Sequence, residues 1–97
     1  MKQMLLKNGN LYLDSALYET YFSAINSVVL LKKDAIFLLM PVQQAGGGLL
    51  FKIKNAKGDR IVHAIEFFQQ HGIEVEEEKV LEVEWSAELS ALTFTVT

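Results

Sequence analysis

"KIKNAKGDRIVHAIEFFQQHG", residues 52–72, holds two lysines two positions apart, a glycine, an acid and an arginine in succession, and then an apolar, histidine-bearing run. A phosphate cradle needs glycines that free backbone N–H groups at a helix start, with a cation nearby, and Gly58, Lys57 and Arg60 supply parts of one. Asp59 opposes it, because its carboxylate can take the same N–H groups and repels phosphate. The spacing matches neither the Walker pattern nor the dinucleotide G-x-G-x-x-G. The stretch therefore reads as a strand-to-helix joint. Asp59 stands where an N-cap belongs, Ile61, Val62, Ile65 and Phe68 form an inward helical stripe, and Gly72 stands where a left-handed C-cap belongs.

Just upstream, "LLFKIK" alternates, with Leu49, Phe51 and Ile53 on one face and Leu50, Lys52 and Lys54 on the other, as in a half-buried strand. Downstream, Leu81, Val83 and Trp85 oppose Leu92, Phe94 and Val96 in two strands joined near Ala87-Glu88. Lys52, Lys54, Lys57 and Arg60 suggest a basic patch, but the same half carries Glu82 and Glu84 two apart on one strand. Pairing between neighbouring strands, worth about 0.2–1 kcal/mol per pair, is expected to neutralise it. Glu74, Glu76, Glu77 and Glu78 read as a solvated charge run, without the glycine turn of a hard-metal loop.

In the first half, Asn8-Gly9 separates two apolar segments and predicts a tight hairpin over residues 3–7 and 10–13. "DSALYETYFSAINS" follows as a helix of about three turns, capped by Asp14 or Ser15. "SVVLLKKDAIFLLMPV" predicts a second hairpin turning at Lys33-Asp34, apolar on both faces and ended by Pro41. Residues 43–48, with three successive glycines, form an expected flexible loop. The order is ββαββ-βαββ, an α+β domain whose mainly antiparallel sheet of hairpins carries two helices. The halves echo one another, yet identity between them is too poor to count as a repeat.

The totals bound the rest. Ninety-seven residues with one proline suit a single compact domain over 1–97. A hydrophobic content of 51% excludes a disordered chain and is high for this size. A net charge of −3 gives no global attraction to phosphate backbones or anionic lipid. Zero cysteines remove disulfides, thiolate chemistry and cysteine metal sites. Met4-Leu5-Leu6 is too short for a signal-peptide core, and Lys32, Lys33 and Asp34 interrupt the other apolar run, so the expected location is the cytoplasm with no membrane contact.

No catalytic motif is found. The five serines at 15, 23, 27, 86 and 90 lie outside any G-x-S-x-G elbow. His63 and His71 are eight apart, not the four of a zinc helix, and His71 suits the helix end electrostatically. No metal or cofactor is expected. The favoured function is a non-enzymatic interaction or assembly module, self-associating as a homo-oligomer, a homodimer among the possibilities, or binding a protein partner. Its interface is the apolar sheet at Val29, Leu31, Ile36, Leu38 and Met40, since two helices cannot cover both faces of that hairpin. An alternative is a small-molecule-binding protein with a pocket between sheet and helices, drawing on Tyr18, His63 and Phe67, with Lys57 and Arg60 as an anion site.

A second alternative comes from a resemblance. "NGNLYLDSALYETYFSAINSVVLLKKDAIFLLMPV", residues 8–42, resembles in architecture the hairpin–helix–hairpin of AbrB-type swapped-hairpin transcription factors, through its Asp-capped helix and a last strand ending in Pro41-Val42. That resemblance implies a dimeric DNA-binding regulator. The basic residues expected at the start of such a reader are reduced to Lys2 and Lys7, which disfavours nucleic acid as the partner.

Overall fold

The computed structural model describes residues 2–42 and 48–96. Of the expected loop at 43–48, residues 43–47 lie outside the described residues. The first half runs β1 (Lys2–Lys7), β2 (Asn10–Leu13), α1 (Ser15–Phe22), β3 (Ser27–Lys33) and β4 (Ile36–Val42). The second runs β5 (Leu49–Ile53), β6 (Arg60–His63), α2 (Ile65–Gln70), β7 (Lys79–Ser86) and β8 (Ala91–Phe94). The order is thus ββαββ twice.

This corrects the expected fold class. The protein is a mostly β, closed eight-stranded antiparallel barrel, 50% strand and 16% helix among the described residues, rather than an α+β sheet of hairpins. The error turns on residues 60–63. Ile61, Val62, Ile65 and Phe68 satisfy a helical stripe, but the chain is extended through His63, and α2 begins only at Ile65 with Ala64 as its N-cap. Val62 points into the core, fully buried opposite Leu11, while its neighbours face outward. The strand wins because two partner strands, β5 and β2, satisfy its backbone groups on its two edges. Gly72 does end α2 in the left-handed region, at φ 71°, with the Ile73 N–H donating back to Phe68 O at 2.9 Å.

Around the ring the strands follow β1-β2-β6-β5-β3-β4-β8-β7, and β7 pairs with β1. Exchanging each strand with its counterpart in the other half reproduces the same ring, so the two halves stand in a pseudo-twofold relation. Asn10↔His63 and Tyr12↔Ile61 flank the Leu11↔Val62 pair on β2·β6, and Phe37↔Phe94 and Leu39↔Leu92 flank Leu38↔Thr93 on β4·β8. Inward rows from all eight strands fill the interior; Leu6, Leu11, Leu39 and Leu92 are wholly buried there. Because β2 and β6 are antiparallel, the helices that follow them close opposite ends. Phe22 of α1 packs on Phe51 and Trp85, and Phe67 and Phe68 of α2 pack on Phe37.

Each hairpin turn of β1–β2 and β5–β6 meets the helix of the other half. Gly9 (φ 79°) accepts the Ala64 N–H at 3.1 Å, so close that an added Cβ would lie 2.6 Å from Ile65 Cβ. Gly9→Ala should therefore destabilise by about 2 kcal/mol or more, combining overpacking with a strained φ. Gly72→Ala, which has open space and only the φ penalty, should cost about 1 kcal/mol. Urea unfolding of the two variants compares them directly.

Candidate functional site

Barrel closure divides the β3–β4 hairpin into two faces. Val28, Leu30, Phe37 and Leu39 enter the core. Val29↔Met40 and Leu31↔Leu38 are cross-strand pairs on the outer face, with Ile36 beside them at the hairpin end. The inner face is covered by the closed barrel itself, rather than by the helices alone. The outer face remains as a patch: Leu31 is 44% exposed, Val29, Ile36 and Met40 are half-buried, and Leu38 is 5% exposed, hemmed in by Leu31 and Thr93 on its two sides. Other large apolar side chains reach solvent elsewhere on the wall, with Leu50 at 60%, Ile53 at 70% and Val80 at 63%. Ile53, expected on the inner face of its strand, lies at the barrel rim, paired with Arg60.

The proposed pocket residues separate. His63 and Phe67 share an open groove of about 600 Å³ between α2 and the β3 and β5 strands, lined also by Val29, Leu49, Ile65 and Gln70. His63 Nδ1 lies 3.0 Å from Asn10 Oδ1 on the outer face. Tyr18 belongs to the opposite end of the barrel, buried, with its hydroxyl donating to Ile25 O at 2.8 Å and its ring edge-on to Phe51. The structure therefore does not bring Tyr18, His63 and Phe67 into one cavity.

It does bring Tyr18 and Arg60 together. The Arg60 guanidinium stacks 4.0 Å from the Tyr18 ring centroid and donates to Gly58 O. Asp59, expected to cap its own helix, instead accepts the Ser15 N–H at 2.8 Å, the first amide of α1 and 44 residues away in the chain. Asp14 caps the same helix by accepting the Leu17 N–H at 2.8 Å. An anion at Lys57 and Arg60 would meet a helix start already occupied by two carboxylates.

The charge layout is the second correction. Lys52 and Lys54 do not face Glu82 and Glu84, because β5 pairs with β6 and β3, whereas β7 pairs with β1 and β8. Lys54 lies 5.1 Å from the Tyr12 ring centroid, and Lys52 is opposite Ile61. Glu82 is opposite Gln3 and Glu84 opposite Thr93. Ion pairs among the described residues include Lys7–Glu78 and Lys79–Glu77, each at 3.9 Å. Lys2, the other cation required by the DNA-reader resemblance, lies 5.7 Å from the Tyr21 ring centroid. What the sequence lacked was strand order; the outward rows Leu50-Lys52-Lys54 and Val80-Glu82-Glu84 were readable as rows, but not their positions.

Among the described residues no cluster of three or more His, Cys, Asp or Glu side chains could hold a metal, and no helix is long and apolar enough to cross a membrane. Comparison of the chain with protein-family models, curated proteins and solved structures finds no match.

The Asp59 cap has a pH signature. The Asn55 side-chain amide and then the Ser15 N–H hold the carboxyl below its ordinary value of 3.8, against an opposing desolvation that ranks behind these two bonds, with Lys57 and Lys54 adding less. A depressed native pKa means stabilisation that is complete above the unfolded value and lost as pH falls through the native one. Asp59→Ala should lower the Tm at neutral pH, and the gap to the parent protein should close as pH drops below 3.8. Thermal melts across that range check the sign; a gap that widens in acid would contradict the cap.

Proposed function

We propose that the protein is a non-enzymatic assembly module that self-associates through the outer apolar face of the β3–β4 hairpin. The observation that carries this reading is the exposed Leu31 among Val29, Ile36, Leu38 and Met40 on a barrel whose core is already filled by its own side chains. A soluble monomer gains nothing from such a patch, whereas burying a leucine of this exposure contributes about 1 kcal/mol. A second copy is the fitting occupant. The middle of the face, Val29, Leu31, Leu38 and Met40, is uncharged, so an isologous contact brings no like charges together there.

Location in the cytoplasm belongs to the same reading: a cysteine-free chain asks nothing of the redox environment. The outward charges on β5 and β7, with strands of five and eight residues, are unlike the lipid-facing wall of a membrane barrel. The DNA-regulator reading draws less support, since Lys2 and Lys7 are engaged within the fold.

Sedimentation velocity from low micromolar to submillimolar protein should show species heavier than the 10.9 kDa chain. Leu31→Asp should lower the average mass at every concentration while leaving the Tm within a few degrees, because the side chain lies outside the core. A parent protein that stays monomeric throughout would end this reading.

A further inference from the structure

The charged rows excluded from the apolar face have their own geometry. β5 and β7 are four strands apart in either direction around the ring, hence diametrically opposed, and the antiparallel alternation makes them run the same way. Their outward positions follow one spacing. On β5 and its continuation these are Leu50, Lys52 and Lys54, and on β7 Val80, Glu82 and Glu84. All six side chains are exposed, and none of the four charges has an ion-pair partner among the described residues. Directly opposite them stand neutral residues, Gln3 and Thr93 beside the acids and Ile61 and Tyr12 beside the lysines. Of the nearby ions, Lys2 lies over the Tyr21 ring, Lys79 pairs with Glu77, and Asp59 near Lys54 is shared with Lys57.

We infer that one copy's β5 face docks on the β7 face of the next, in parallel, apposing Leu50 with Val80, Lys52 with Glu82 and Lys54 with Glu84. The inference rests on the reading of the chain as a self-assembling module and adds a second, heterologous contact to it. Charge complementarity with matching register selects this occupant. A self-facing β5 contact would bring lysine against lysine, and a self-facing β7 contact glutamate against glutamate. Because the two faces lie on opposite sides, successive copies stack without closing, so the contact gives an open, head-to-tail series.

Sedimentation in the Leu31→Asp background, where the apolar face is disabled, isolates the contact. Average mass should rise with concentration past two chains without a plateau, and the association constant should fall about tenfold between low and near-molar salt. Lys52→Glu/Lys54→Glu and Glu82→Lys/Glu84→Lys should each sediment as monomers in that background. Mixing the two should restore heavy species, which loss of folding in either would not allow. Several results would overturn the inference while leaving the apolar reading intact: a monomeric, salt-indifferent Leu31→Asp protein, no recovery on mixing, or a lysine face whose replacement abolishes duplex DNA binding but not assembly. A monomeric parent protein would remove both.

Discussion

The pairing of β2 with β6, centred on Leu11 and Val62, is the interaction on which the rest of the molecule depends. Each hairpin–helix–hairpin half is by itself two separate hairpins that do not pair with one another, so all of their outer edges are unpaired. Joining them here and at β3·β5, β4·β8 and β1·β7 turns four hairpins into one ring in which every strand has two neighbours. The same joint places each hairpin turn at the start of the other half's helix: Gly9 O receives the Ala64 N–H, and Asp59 Oδ1 receives the Ser15 N–H. Each helix start is thus held in part by a group from the other half, with Asp14 adding a cap to α1 from its own.

Closure also decides what the surface offers. The inward rows supply enough apolar volume to fill the barrel, so the chain's surplus hydrophobic residues are displaced to the outer wall, on β3, β4, β5 and β7. Strand order then separates the charges that share the second half of the chain. Lysines on β5 and glutamates on β7, in the same half of the sequence, end on opposite sides, where they do not pair within one molecule.

Features with local causes were legible in the sequence. The Asn8-Gly9 turn, with both residues at positive φ, the Asp14 cap of α1 and the break at Gly72 each rest on residues a few positions apart. The unbroken apolar runs of β3 and β4 marked a hairpin that is apolar on both faces. The missing strand was masked by its own pattern: Ile61, Val62, Ile65 and Phe68 fit a helical period, and pairing with β5 on one side and the distant β2 on the other makes 60–63 extended. Asp59 was recognisable as a cap, but its helix lies in the other half. The expected neutralisation of Lys52 and Lys54 failed for the same reason, since it required a neighbour relation that only ring order supplies. Of the candidate site, the outer β3–β4 face was readable, whereas the grouping of Tyr18 with His63 and Phe67 was not, because the two helices close opposite ends.

The joint between the halves is tested most directly by NMR on the labelled protein. The account predicts extended-chain Cα shifts at residues 60–63, slow amide exchange at Val62, and cross-strand nuclear Overhauser contacts between Tyr12 and Ile61 and between Asn10 and His63. Helical shifts running without a break from residue 60 into α2, with no contact to residues 10–13, would contradict it.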